Sequence, residues 1–147
     1  MPHQIVLASD HAAIELKAAL AQWLREAGHD VTDLGPQDPT SVDYPDYGYA
    51  LAGHVAAGKA TFGIALCGSG IGISIAVNRN PACRCARVDE PLSARLAREH
   101  NDANVLAMGA RLIGLDQAKA CVEAFLSTSF AGGRHQRRVD KLSAPTG

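Results

Sequence analysis

The sequence lacks the features of a membrane protein or a nucleic-acid-binding protein. No apolar run approaches the ~20 residues that a membrane span requires, and the apolar segment at residues 4–8 is too short for a signal peptide. The formal net charge is −1, so no overall field favours nucleic acid or an anionic membrane. We therefore expect a cytoplasmic protein that has neither of these partners.

The cysteines do not have the spacing of a metal site. The four cysteines are Cys67, Cys83, Cys85 and Cys121; they form no C-x-x-C pair, and Cys83-x-Cys85 has no second pair at zinc-site spacing. We expect no metal, and no disulfides in a reducing cytoplasm. Cysteines in such proteins are usually small buried apolar residues. Only Cys67 lies in a sequence context that indicates chemistry.

Short apolar segments alternate with amphipathic segments along the 147 residues. The pattern predicts strands at residues 4–8, 29–34, 62–66, 85–88 and 104–108, with helices between them and a C-terminal helix over about 133–143. Such alternation is typical of an α/β fold. We expect one doubly wound, Rossmann-like domain over residues 1–147, with a five-stranded parallel sheet and a C-terminal helix for which docking on a partner subunit is one candidate.

Ligands of parallel sheets bind at the carboxyl ends of the strands, and the most distinctive loop there is Cys67-Gly-Ser-Gly-Ile-Gly72. Its glycines allow close approach to a ligand, and a glycine-rich turn that opens a helix presents N–H groups to an anion. The spacing G-x-G-x-G differs from the dinucleotide motif G-x-G-x-x-G, which argues against NAD. A tight turn around a buried cysteine would have the same sequence.

A cysteine at this position has two chemical uses. A thiolate near a helix N-terminus is stabilised, so it can remove a carbon-bound proton while neighbouring N–H groups hold the resulting oxyanion. A nucleophilic cysteine hydrolase would use the same groups and form a covalent intermediate. The loop alone does not distinguish the two.

Histidines and arginines add a second signal. His11 follows the first strand and His100 ends a predicted helix, and either could transfer protons near neutral pH. Arg134 and Arg138 share one face of the final helix, where a phosphate would relieve their repulsion. Arg111 follows the fifth strand. The alternatives are ordinary solvated histidines and a solvated basic tail, and a helix this short must dock on something.

Six segments in this order resemble the RpiB/LacAB family of sugar-phosphate isomerases, over about residues 4–142. They are Ser9-Asp10-His11, Asp43-Tyr44-Pro45, residues 67–74, residues 98–104, Gly109-Ala-Arg111 and residues 132–138. The resemblance implies interconversion of an aldose phosphate and a ketose phosphate through a cis-enediolate, without metal or cofactor. It also implies a homodimer, or a dimer of dimers, whose active sites lie between subunits.

The resemblance further implies a role for each matched residue. Cys67 would move the proton between C2 and C1, and His100 would open the sugar ring. Ser69 and the amides of Gly68, Gly70 and Gly72 would hold the enediolate. Asp10, Asp43, Tyr44 and Asn101 would contact the ring or its hydroxyls, and His11, Arg111, Arg134 and Arg138 would bind the phosphate.

One branch of the family replaces this cysteine with serine and takes a glutamate further along the loop as the base. Here Cys67 is present, and Ser74, Ile75 and Ala76 include no glutamate. We therefore expect the cysteine mechanism. Arg137, Cys83 and Cys85 receive no role.

Ribose 5-phosphate, a substrate of the pentose phosphate pathway, is the expected sugar. Allose 6-phosphate, galactose 6-phosphate and a tetrose phosphate are the alternatives that keep the chemistry. A non-catalytic sugar-phosphate-binding regulatory protein is the alternative from another class, and the presence of both Cys67 and His100 argues against it.

Overall fold

The computed structural model describes residues 2–145, which form five strands and six α-helices. The strands are β1 (Gln4–Ser9), β2 (Asp30–Asp33), β3 (Phe62–Cys67), β4 (Cys85–Arg87) and β5 (Val105–Gly109). The helices are α1 (Ile14–Glu26), α2 (Tyr44–Ala56), α3 (Ile71–Val77), α4 (Pro91–Asn101), α5 (Leu115–Leu126) and α6 (Arg134–Ser143). A short 3-10 turn, His11–Ala13, precedes α1.

The strands form one parallel sheet in the order β2-β1-β3-β5-β4. This confirms the predicted α/β class and the five-stranded parallel sheet. Element boundaries differ from the prediction by one or two residues; the difference that matters most is in β3, which includes Cys67 as its last residue. Cys67 pairs in register with Gly109, so its side chain is positioned by the sheet itself.

Two apolar layers cover the sheet because side chains of the central strands alternate between its faces. Ile5 and Leu7 face the layer that contains α1, α4 and α5, whereas Val6 and Ala8 face the layer that contains α2 and α3. β1, β3 and β5 are buried almost throughout. The carboxyl ends of these three strands therefore form a rigid platform.

The final helix is attached far less firmly. α6 is strongly polar, and among its ten described residues Val139 is the one that is buried. α6 packs against α4, and the side chain of Ser143 accepts a hydrogen bond of 3.5 Å from Arg84. A short polar helix gains little stability by itself, so this attachment is weak.

None of the helices in residues 2–145 is both long and apolar enough to cross a membrane. The same residues contain no cluster of three or more His, Cys, Asp or Glu side chains arranged to hold a metal ion. All four cysteines are free thiols.

Candidate active site

The glycine-rich loop between β3 and α3 has a backbone that only glycine can adopt at its centre. Gly70 has φ +78°, and an added Cβ would lie 2.7 Å from the carbonyl carbon of Met108. Gly109 is equally tight, because its Cβ would lie 2.6 Å from Ser69. The loop is therefore packed directly against the end of β5, with no space for side chains between them.

Backbone hydrogen bonds lock this arrangement. Ala110 and Arg111 donate their N–H groups to the carbonyls of Cys67 (2.9 Å) and Gly68 (3.0 Å). The turn after β5 and the loop after β3 thus hold each other in place. α3 has only seven residues, so the amides of this interlocked loop, more than a long helix dipole, determine the local field.

Cys67 is 4% exposed, and its sulfur accepts a hydrogen bond of 3.1 Å from the Gly70 N–H. A cysteine beside an open cleft can act as a base or as a nucleophile.

An open cleft of about 530 Å³ lies beside this cysteine. It is lined by Cys67, Ser69 and Arg111, and by the aromatic ring of Tyr44. The ring leaves no room for a side chain at Gly72, since an added Cβ would lie 2.5 Å from it. The guanidinium of Arg111 packs less closely over Gly68, at 3.3 Å from an added Cβ. These predicted site residues are thus brought together.

Predicted residues from the first loop lie at the same edge of the sheet. His11 accepts a hydrogen bond at Nδ1 from the Val42 N–H (3.1 Å), which leaves Nε2 to carry the proton of the neutral ring. Asp10 is nearly buried, and its Oδ1 accepts from the Ala12 N–H at 3.0 Å, so it caps the 3-10 turn. Asp43 is exposed at the start of α2 and makes no capping hydrogen bond.

The remaining predicted residues lie at the opposite edge. α4 begins near the carboxyl ends of the strands and runs back, so His100 and Asn101 lie near the start of β5. β5 has five residues, which separate this region from Cys67 by about 13 Å. Arg134 and Arg138 accompany them on α6. One chain therefore does not unite the predicted set.

His100 is not isolated at that edge. Its ring stacks on that of His135, with centroids 4.5 Å apart, and its Nε2 lies 3.6 Å from Glu99. Partial burial, together with the neighbouring His100, Arg134 and Arg138, lowers the pKa of His135. Sequence reasoning missed His135, although it adjoins Arg134 in the last motif.

Arg87 was also missed. It ends β4 at the carboxyl edge, donates from Nε to the carbonyl oxygen of Ser69 (3.0 Å) and pairs through Nη1 with Asp89 (2.6 Å). Arg87 ends β4 as Cys67 ends β3, so the rule that functional groups lie at the carboxyl ends of strands applies to both. The segment around β4 is short and has no glycine-rich loop after it, so the sequence did not single it out.

Comparisons with known proteins agree with this geometry. A profile described as ribose/galactose isomerase matches residues 5–142. The chain is 43% identical over 141 residues to ribose-5-phosphate isomerase B of Escherichia coli, covering 96% of this chain and 95% of that protein. It is 41% identical over 140 residues to D-erythrulose-4-phosphate isomerase of Pectobacterium atrosepticum, covering 94% and 91%.

A solved structure extends the similarity to three dimensions. Ribose-5-phosphate isomerase B of Mycoplasma genitalium with bound ribulose 5-phosphate superposes with a TM-score of 0.90. That protein is 37% identical in sequence, and the match covers 95% of this chain and 93% of the other.

Proposed function

The chain belongs to the ribose/galactose isomerase family, and from this premise we propose that it interconverts ribose 5-phosphate and ribulose 5-phosphate. The observation that carries the proposal is the Cys67 sulfur at the end of β3, 3.1 Å from the Gly70 N–H and open to a cleft that Arg111 lines. A stabilised thiolate next to a phosphate-binding cation is the pair of groups that this isomerisation needs.

In the proposed mechanism Cys67 is the base. Its thiolate removes the proton from C2 of the open-chain aldose, and the electron pair forms the C1–C2 double bond of a cis-enediolate. The thiol then returns the proton to C1, while a proton moves from O2 to O1, which yields the ketose. Ser69 and the loop amides would hold the enediolate oxygens.

Two details of the structure refine these roles. The Gly70 amide faces the sulfur, so we assign it to the base, and we keep the amides of Gly68 and Gly72 as donors to the enediolate. Asp10 is engaged in a cap. Tyr44, which lines the cleft, and Asp43, which is exposed immediately before it in the chain, are therefore the better placed contacts for sugar hydroxyls.

Phosphate binding and ring opening require a second subunit. His11, through Nε2–H, and Arg111 would bind the phosphate from one chain, whereas Arg134, Arg138, His100 and Asn101 would come from another. Large apolar side chains line the cleft and are exposed to solvent: the exposed fraction is 53% for Ile75 and 57% for Leu112. Their burial against a second copy would close the site, so we propose a homodimer with shared active sites.

The reaction is tested by incubating the purified protein with ribose 5-phosphate in EDTA and following ketose formation. We expect turnover without added metal or cofactor. A preference for allose 6-phosphate or galactose 6-phosphate would keep the chemistry and change the substrate. Absence of turnover on every sugar phosphate offered would contradict the proposal.

The shared site is tested by subunit complementation. Cys67→Ala and His100→Ala are each expected to be inactive, because each damages both sites of its own dimer. When the two are unfolded, mixed equally and refolded, half of the dimers are mixed and carry one intact site, so about a quarter of the wild-type activity should return. No recovery in a mixture that has re-formed dimers would show that each site lies within one chain.

A second candidate substrate is a four-carbon sugar phosphate. The relative that acts on D-erythrulose 4-phosphate, at 41% identity, favours it over the six-carbon sugar phosphates. The same chemistry would apply. Relative kcat/KM on ribose 5-phosphate and D-erythrulose 4-phosphate decides between them.

A further inference from the structure

We propose that Arg87 is a positioning residue that stabilises the thiolate of Cys67 through a single peptide group. The inference deepens the proposed function and rests on the role of Cys67 as base. Arg87 contacts neither the sulfur nor the substrate; it acts on the peptide group that lies between its guanidinium and the sulfur.

The peptide group that joins Ser69 to Gly70 carries a hydrogen bond at each end. Its carbonyl oxygen accepts from Arg87 Nε at 3.0 Å, and its N–H donates to Cys67 Sγ at 3.1 Å. In a trans peptide the C=O and N–H bonds point in opposite directions. The guanidinium, the peptide dipole and the sulfur therefore lie in series, with the positive end of the dipole toward the sulfur.

A cation at the oxygen end of this dipole has two effects on the sulfur. It polarises the peptide group and so strengthens the N–H as a donor, since hydrogen bonds in a chain reinforce one another. It also helps to hold the peptide plane in the orientation that points the N–H at the sulfur, at Gly70 with its φ of +78°. Both effects favour the thiolate.

The guanidinium is itself held in place. Arg87 is paired with Ala107 across β4 and β5, and Asp89 engages Nη1 at 2.6 Å, so Nε is directed to the loop. The Arg87 side chain is 25% exposed, and Ser69 is half-buried.

Other ionisable groups also surround the cleft, and the proposal concerns what Arg87 adds to them. Arg111 and Tyr44 line it from the β5 turn and α2. Asp10 and His11 follow β1, and Asp43 immediately precedes α2. None of them has a hydrogen bond to the peptide group that contacts the sulfur, among those found for the described residues.

The test measures the sulfur directly, by the rate of alkylation with iodoacetamide at pH 7 in the full-length protein. The other cysteines give little background, because burial raises the pKa of Cys83 and Cys85, and burial with Glu90 and Asp89 nearby raises the pKa of Cys121 to about 11. Cys67→Ala provides the blank. Mass spectrometry of peptides identifies the modified residue.

Arg87→Met keeps the length of the side chain and removes its charge. We expect alkylation of Cys67 to slow about three- to tenfold, with kcat on ribose 5-phosphate falling in parallel and KM changing less than about twofold. Arg87→Lys restores the cation and should recover part of both rates. The matched control is Arg25→Met, which removes an arginine that also donates to a backbone carbonyl, that of Val31 at 3.3 Å, far from the loop; it should leave both rates unchanged.

Asp89→Asn gives an independent reading if Arg87→Met does not fold. It keeps the guanidinium and an oxygen that can accept from Nη1, but removes the negative charge that offsets the cation, so alkylation should be as fast as in the wild type or faster. Wild-type alkylation in Arg87→Met, or slower alkylation in Asp89→Asn, would overturn the inference. If the wild type has no isomerase turnover but Arg87→Met still slows alkylation, the proposed function fails and the effect on the sulfur stands.

Discussion

The two edges of the sheet carry the two halves of the proposed site, and they are built differently. At the carboxyl edge, Cys67 is 4% exposed and belongs to a loop whose glycines contact neighbouring backbone and rings. At the amino edge, Arg134 and Arg138 are exposed on α6, a helix with one buried residue among its ten described positions. One half is rigid, and the other depends on a weakly attached helix.

The difference follows from what each half must do. Proton transfer from carbon requires a base within hydrogen-bond reach of the proton, with tolerances of tenths of an ångström. Attraction between arginines and a phosphate changes slowly with distance and tolerates movement. In the proposed dimer, the rigid half would hold the reacting atoms, while the weakly attached half would supply charge from a second subunit.

The largest expected effect on catalysis is at Cys67, on the carboxyl edge. In Cys67→Ala we expect kcat to fall about 100- to 10,000-fold, the contribution of a general base, because none of the other described residues that line the cleft is a cysteine. Affinity for ribulose 5-phosphate, measured by calorimetry, should stay within about threefold.

The matched control for this variant is Cys121→Ala, which removes a buried thiol from the core beside α4. It should leave kcat unchanged and reduce stability slightly. A Cys67→Ala protein that kept its kcat and lost affinity would contradict the division between a catalytic edge and a binding edge.

A smaller effect, mainly on KM, is expected from the arginines of α6 at the amino edge. Arg134→Ala and Arg138→Ala should each raise KM about 10- to 100-fold, the loss of a charge-assisted hydrogen bond of ~1.5–3 kcal/mol, with much smaller changes in kcat. Arg137→Ala, on the same helix, is the control and should leave KM unchanged. Equal effects of all three substitutions would mean that α6 contributes general positive charge without defined contacts.

Much of this division could be predicted from the sequence. The strand–helix alternation predicted the parallel sheet, and the rule that ligands bind at carboxyl ends selected the loop of Cys67. The separation of His100 from Cys67 within one chain was also accessible in principle, since a residue at the end of a crossover helix lies at the edge opposite to its start.

The rest depended on contacts that no local pattern encodes. Lys17 is fully buried, and its Nζ pairs with Asp33 at 2.6 Å. Lysine is normally exposed, and the position of Lys17 in the helix gave no reason to expect that it is buried. Asp33 also accepts from the Gly35 N–H at 2.8 Å and thus fixes the loop that leads to Asp43. The bond between Arg87 and Ser69 joins residues 18 apart in sequence, and spacing alone does not reveal it.

The rigidity of the catalytic edge is tested by two glycines with similar backbones. Gly70 and Gly58 have φ values of +78° and +76°, but a Cβ at Gly58 would meet no described atom within 4 Å, whereas one at Gly70 would collide with Met108. Gly58→Ala should cost about 1 kcal/mol of unfolding free energy, and Gly70→Ala about 3 kcal/mol. Urea denaturation measures both. Equal costs would show that the loop can move away from β5.

The smallest expected effect concerns acid sensitivity at the amino edge, at the stacked rings of His3 and His29, whose centroids are 5.6 Å apart. Burial is the main cause that lowers the pKa of His29, and the nearby His3 adds to it. Nδ1 of His29 accepts a hydrogen bond of 3.0 Å from the backbone N–H of His3. The unfolded chain therefore binds this proton more readily than the folded one. The contribution of this histidine pair to the free energy of unfolding is complete above the ordinary histidine pKa of about 6.5 and is lost as the pH falls below it.

His29→Asn tests this contribution, because the Oδ1 of asparagine can accept the same hydrogen bond without titrating. Urea midpoints at pH 7.5 and pH 5.5 should differ more for the wild type than for the variant, and kcat at pH 7.5 should be the same in both. If both proteins lost equal stability, the acid sensitivity would arise elsewhere. If kcat changed as well, the amino edge would be coupled to the catalytic loop through the sheet, and the two halves would not be independent.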